Sequence, residues 1–205
     1  MWTTFERRGG SAMIVGGMLW LLAYGMDLVV GVTGGQIGYG GSSPAERLDE
    51  LLWDAGLVGL GLGVVGLSAL IGSRSKRLSQ VGLALGWLAV LASVANPLLR
   101  TGLIAFLGIA GCIVGTLVLG IATLRVGALA GPARVVPLVT GLSFFPLIGL
   151  SFPLESVVPD YVAGNVPFPI AALAFVMTGA ALRAAARHRA ARAASGPVLQ
   201  QQVAV

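Results

Sequence analysis

Apolar residues along this chain fall into six long runs separated by short polar or glycine- and proline-containing segments. The runs occupy 12–32, 51–72, 81–99, 102–124, 135–152 and 168–182. A helix needs about 20 apolar residues to cross the hydrocarbon core of a bilayer, and most of the runs meet that length. The pattern predicts an all-α integral membrane protein, a bundle of six transmembrane helices forming a single membrane domain over residues 1–194. The first run is too long for a signal-peptide core, contains Asp27 and lacks a small-x-small cleavage site after it, so it reads as an uncleaved span.

The connecting segments sharpen these boundaries. Residues 1–10 read as a short polar start. Ser43-Pro44-Ala45-Glu46 carries serine three residues before glutamate with proline at the first helical position, the pattern of a capping box. It predicts a short interfacial helix ahead of the second span. Asn96-Pro97 and Arg100 mark a tight turn between the third and fourth spans. Pro137 and Pro146 interrupt the fifth, and Pro146 removes a backbone donor near mid-membrane, which predicts a kink or a carbonyl opened to a cavity. Residues 183–194 continue as a basic juxtamembrane helix. Ser195-Gly196-Pro197 is expected to end it and to leave 195–205 as a flexible C-terminal tail.

Charge then orients the bundle. With both termini cytoplasmic, the inner segments hold Arg7, Arg8, Arg74, Lys76, Arg77, Arg125, Arg134, Arg183, Arg187, Arg189 and Arg192. The outer segments hold only Arg47 and Arg100. Eleven against two, out of 13 basic residues, is a strong positive-inside bias, and places the protein in a cell (inner, cytoplasmic) membrane. The basic balance is therefore topological, and nucleic acid is not an expected partner. The arginine cluster at 183, 187, 189 and 192 sits where it would meet anionic lipid headgroups.

Composition agrees with this class and narrows the chemistry. Apolar residues make up 56% and charged residues 10% of the chain, with a mean hydropathy of +0.91, so a water-soluble domain is excluded. The single cysteine, Cys112, and single histidine, His188, exclude an internal disulfide, two-histidine zinc sites, bis-histidine haem and a Ser-His-Asp triad within the membrane. No cofactor or metal is expected. Ser143 has no histidine or lysine in a neighbouring span to activate it, and no phosphate-binding glycine loop is present.

Two small-residue faces predict close helix packing. Gly56, Gly59, Gly63 and Gly66 share one face of the second span, and Gly108, Gly111 and Gly115 one face of the fourth. Packing within the chain is the simpler reading and a homodimer seam the alternative. The shared spacing and loop charge suggest that 55–99 and 107–152 are weakly similar hairpins.

Ionisable groups within spans are candidate functional sites. On the first span Trp20, Tyr24 and Asp27 continue a stripe with Met13 and Gly17. Asp54 lies one turn inside the second span, and Asn96 and Arg100 share a face at the end of the third. All the charged members lie at the outer depth. They predict either an Arg100–aspartate bridge that fixes helix order or an outward-facing ligand or ion pocket floored by Trp20 and Tyr24. Three functional classes follow. The favoured one is a non-enzymatic scaffold or accessory subunit, with a partner subunit in a membrane complex. The second is a small-solute permease or membrane ligand-binding subunit. The third is a membrane enzyme using Asp27 and Asp54 as a carboxylate pair.

Overall fold

A computed structural model describes residues 2–33, 43–99, 101–154, 157–158 and 167–202. Within them the chain forms six helices: α1 (Trp2–Val32), α2 (Pro44–Gly72), α3 (Lys76–Leu99), α4 (Gly102–Val126), α5 (Val136–Leu154) and α6 (Pro167–Gln202). A single 3₁₀ turn, Gly131–Arg134, precedes α5, and the described residues contain no strand. Five helices are long and apolar enough to cross a membrane, the stretches Glu6–Val32, Pro44–Gly72, Lys76–Leu99, Gly102–Val126 and Phe168–Ala193. In α5 the shorter stretch Val136–Leu147 is apolar. This is the architecture of a multi-pass membrane protein.

The helices close a ring. Each packs on the next, α6 returns to α1, and α2 also reaches α4 across the ring. Helix α2 is therefore the core element: 67% of its apolar window is buried, against 33–44% in the other four. Glycine makes this possible, because without side chains backbones approach closely where lipid supplies no hydrophobic drive. A Cβ on Gly59 would lie 2.7 Å from Ala12 O and 2.8 Å from Gly16 Cα of α1, and one on Gly9 would lie 2.6 Å from Gly66 Cα. Gly56 abuts Trp20, and Gly63 abuts Met13. On the opposite side, a Cβ on Gly61 would lie 2.9 Å from Gly86 O of α3. The face of Gly108, Gly111 and Gly115 turns to Ser93, Ala89 and Leu85 of α3, with Val64 of α2 against Gly115. In both hairpins the glycine face thus meets the preceding helix. Hydroxyls add cross-links: Ser79 Oγ donates to Ser68 O at 2.9 Å between α3 and α2, and Thr140 Oγ1 lies 2.9 Å from Thr178 Oγ1 between α5 and α6.

Four local expectations are corrected. The capping box forms, with Glu46 N–H donating to Ser43 Oγ at 3.2 Å and Ser43 N–H donating to Glu46 Oε2 at 2.8 Å. It starts α2 itself, however, and not a separate interfacial helix, because no breaker follows before the apolar run. Residues 2–10 are not a polar preface but the first turns of α1, held by the contact of Gly9 with Gly66 and of Gly10 with Gly179 and Arg183. Tertiary packing here outweighs the poor helix propensity of paired glycines. Helix α6 continues through Ser195-Gly196-Pro197 to Gln202; the proline removes one intrahelical bond without ending the helix. Helix α5 likewise runs through Pro146, which lies at an exposed position and does not interrupt the helix.

Candidate functional site

Asp27, Asp54 and Asn96, three of the residues expected to form a site, line a cavity of about 300 Å³ between α1, α2, α3 and α4. Its charged wall comes from two helices. Asp27 sits one and a half turns before the end of α1. On α2, the capped start sets the register so that Asp49 falls about one turn before the adjacent pair Trp53 and Asp54 on the inward side. Asn96, near the end of α3, supplies a polar amide, and Leu57, Ala105 and Ile109 close the apolar side.

Within this cavity Asn96 Nδ2 donates to Asp54 Oδ1 at 2.9 Å. Both are buried, Asn96 at 3% exposure and Asp54 at 8%. Asp49 is 7% exposed, and its Oδ1 is buried without a hydrogen-bond partner among the described residues. Asp27, Asp49 and Asp54 line the same cavity and make its wall acidic. The described His, Cys, Asp and Glu side chains form no group with metal-holding geometry.

The aromatic floor is built differently from its expectation. Trp20 and Tyr24 lie below the cavity, at 0% and 1% exposure, and neither lines it. Trp53 stands between, its ring centroid 4.9 Å from Trp20 and 5.0 Å from Tyr24. Trp20 Nε1 donates to Trp53 O at 3.2 Å, which locks α1 to α2 at this level. Phe144 and Phe175 approach Trp20 edge-on at 6.2 and 6.1 Å, and Phe168 stacks on Tyr24 at 5.4 Å. Six rings from α1, α2, α5 and α6 thus form one packed cluster between these helices, in the offset and edge arrangements that aromatic quadrupoles favour.

Of the predicted pocket residues, the structure brings Asp27, Asp54 and Asn96 together and places Trp20 and Tyr24 in the plug beneath. Arg100 lies outside the described residues. Sequence reasoning missed Asp49 and Trp53. Their signal is the four-residue step from Asp49 to Trp53 in phase with the glycine face, visible only when the helix capped by Ser43 is continuous with the second span.

The opposite end of the bundle holds its own polar construction. Arg189 Nη1 donates to Glu6 Oε1 at 3.1 Å, an ion pair that ties α6 to the start of α1. Glu6 is 2% exposed. Arg189 Nη2 also reaches Leu70 O of α2 at 3.4 Å. Of the other tail arginines, Arg183 is half-buried beside Gly10, while Arg187 and Arg192 are exposed.

Compared with known protein families, curated proteins and solved structures, the chain matches none.

Proposed function

We propose that this chain is a six-span protein of the cell membrane with both termini in the cytoplasm, serving as a non-enzymatic scaffold or accessory subunit of a larger membrane complex. The observation that supports this most is the aromatic plug. Trp20, Tyr24, Phe144 and Phe175, all at 2% exposure or less, pack against one another between α1, α5 and α6. A permease needs a path, or a site alternately reached from both sides; a scaffold needs a packed core and outward surfaces. The exposed large apolar side chains on several helices, such as Leu91, Val94, Leu103 and Phe106, supply surface for lipid and for a neighbouring subunit alike.

The test is native electrophoresis of solubilised membranes. The tagged chain should migrate within a complex heavier than any homo-oligomer of itself, and deletion of its gene should remove or shift that complex. Migration only as a monomer or homo-oligomer overturns the reading.

The outer cavity favours a second reading, a membrane ligand-binding subunit open to the outside. A volume of about 300 Å³ is at the lower end of small-molecule sites, and its acidic wall beside Trp53 suits a small cation. Saturable binding of a small organic amine by the purified chain, lost in Asp49→Asn, would support it over the scaffold reading.

A further inference from the structure

A second cavity, of about 490 Å³, opens at the inner end between α6, the end of α4 and the α2–α3 turn. One side is a trough of small apolar residues, Ala181, Ala184 and Ala185 of α6 facing Ala128 and Leu129. The other is a rim of Arg74, His188 and Arg192, with Arg189 beside it, and no acidic residue lines the cavity.

Local structure explains why the cations gather here. Helix α4 ends at Gly127 in the left-handed conformation, φ 59°, which leaves its last carbonyls to be satisfied from outside. Arg74 Nη1 does so, at 2.7 Å from Val126 O and 2.6 Å from Gly127 O. This holds the guanidinium at the cavity mouth, and among the described residues nothing bonds its Nη2 or Nε. Arg189 is neutralised by Glu6, so it shapes the wall and adds little net charge. His188 and Arg192 lie four apart and complete the rim on one face of α6.

We propose that this cavity is a binding site for an anionic glycerophospholipid, with the phosphate on the rim of Arg74, His188 and Arg192 and the start of an acyl chain in the alanine trough. The inference deepens the expectation that the tail arginines meet headgroups, because it sorts them. Arg192 belongs to a built site, Arg189 is committed to Glu6, and Arg187 lies outside the cavity lining. It rests on the chain being membrane-embedded and not on the accessory-subunit reading, so it stands or falls independently of any partner. A basic rim alone would take soluble phosphate equally well; the apolar trough beside it is what selects a lipid.

The experiment is a native mass-spectrometric titration of the full chain in neutral detergent with phosphatidylglycerol and phosphatidylcholine. Phosphatidylglycerol should bind more tightly. Arg192→Gln should weaken it by about fivefold, the contribution of one cation near an anionic group. Ala184→Trp, at an exposed position, should block the trough and abolish the preference without lowering the thermal midpoint. Arg187→Gln should leave binding unchanged, and millimolar inorganic phosphate should not displace the lipid. Equal binding of the two lipids, equal loss from Arg187→Gln and Arg192→Gln, or unaltered binding in Ala184→Trp overturns the site. Displacement by inorganic phosphate overturns the lipid as its occupant.

Discussion

Asn96 on α3 donates to the carboxylate of Asp54 on α2 at 2.9 Å, with both side chains more than nine-tenths buried. The bond joins the first half of the core helix to its neighbour across 42 positions. A hydrogen bond to a charged group is worth more than a neutral one, and stranding one partner costs more than removing both. Asn96→Leu should therefore destabilise the detergent-solubilised protein by about 1–3 kcal/mol. The double change Asp54→Leu with Asn96→Leu should recover much of that loss. A double-mutant cycle read by denaturant or thermal unfolding measures the coupling; additive effects would mean that the two groups do not sense each other.

Glu6 and Arg189 close the ring at the opposite end. The Glu6 side chain is 3% exposed and the Arg189 side chain 31%, so the pair is neither fully dry nor freely screened. Removing the cation leaves a buried carboxylate, while removing both charges leaves none. Arg189→Leu should cost about 2 kcal/mol, below the 3–5 kcal/mol of a fully buried pair because the Arg189 side chain is partly exposed. Glu6→Gln with Arg189→Leu should sit closer to the parent than Arg189→Leu alone. Unfolding midpoints at fixed detergent concentration decide it; a double variant as weak as the single would assign the loss to Arg189 packing on α2 instead.

Most of the helical architecture was legible in the apolar runs, since a helix satisfies its own backbone in hydrocarbon but needs apolar side chains along its spanning length to sit there. The capping box at Ser43 and the glycine faces were legible too, because both depend on local spacing. The ends of the helices were not. Glu6, Gly9 and Gly10 look polar or helix-breaking in isolation and are helical only because α2 and α6 lie against them. Asp49 resembles a solvated interfacial acid until the register of a continuous α2 turns it inward. For the site, depth along the helices was readable and azimuth was not. Asp27, Asp54 and Asn96 could be placed at one level, but whether Trp20 floored the cavity or lay beneath Trp53 depended on how α2 rotates against α1.

That rotation is set by the glycine face, which offers a direct test. A side chain at Gly59 meets backbone atoms of α1, Ala12 O at 2.7 Å and Gly16 Cα at 2.8 Å, and backbone cannot swing aside. Gly59→Leu should force the helices apart and lower stability by at least the ~1–3 kcal/mol of an overpacked core. Ala55→Leu, at an exposed position of the same helix, should be close to neutral. Thermal unfolding in detergent separates them. Equal effects at the two positions would mean that Gly59 faces lipid.

Topology provides the last prediction, and α5 makes it informative. Five helices are long and apolar enough to cross a membrane, and the apolar stretch of α5, Val136–Leu147, is shorter. If α5 did not cross, residues 132 and 160 would share a side, and α6 would carry Arg183, Arg187, Arg189 and Arg192 outward. That arrangement sets four arginines against the positive-inside bias, whereas six crossings bring them to the side that already holds Arg74, Lys76 and Arg77. Reporter fusions after Gln80, Pro132 and Ala194 should therefore read cytoplasmic, and fusions after Gly40 and Asp160 extracytoplasmic. Matching signals at Pro132 and Asp160 would remove α5 from the spanning set. A reversed signal at Ala194 would then place the α6 arginines, and the basic cavity they border, on the outer face.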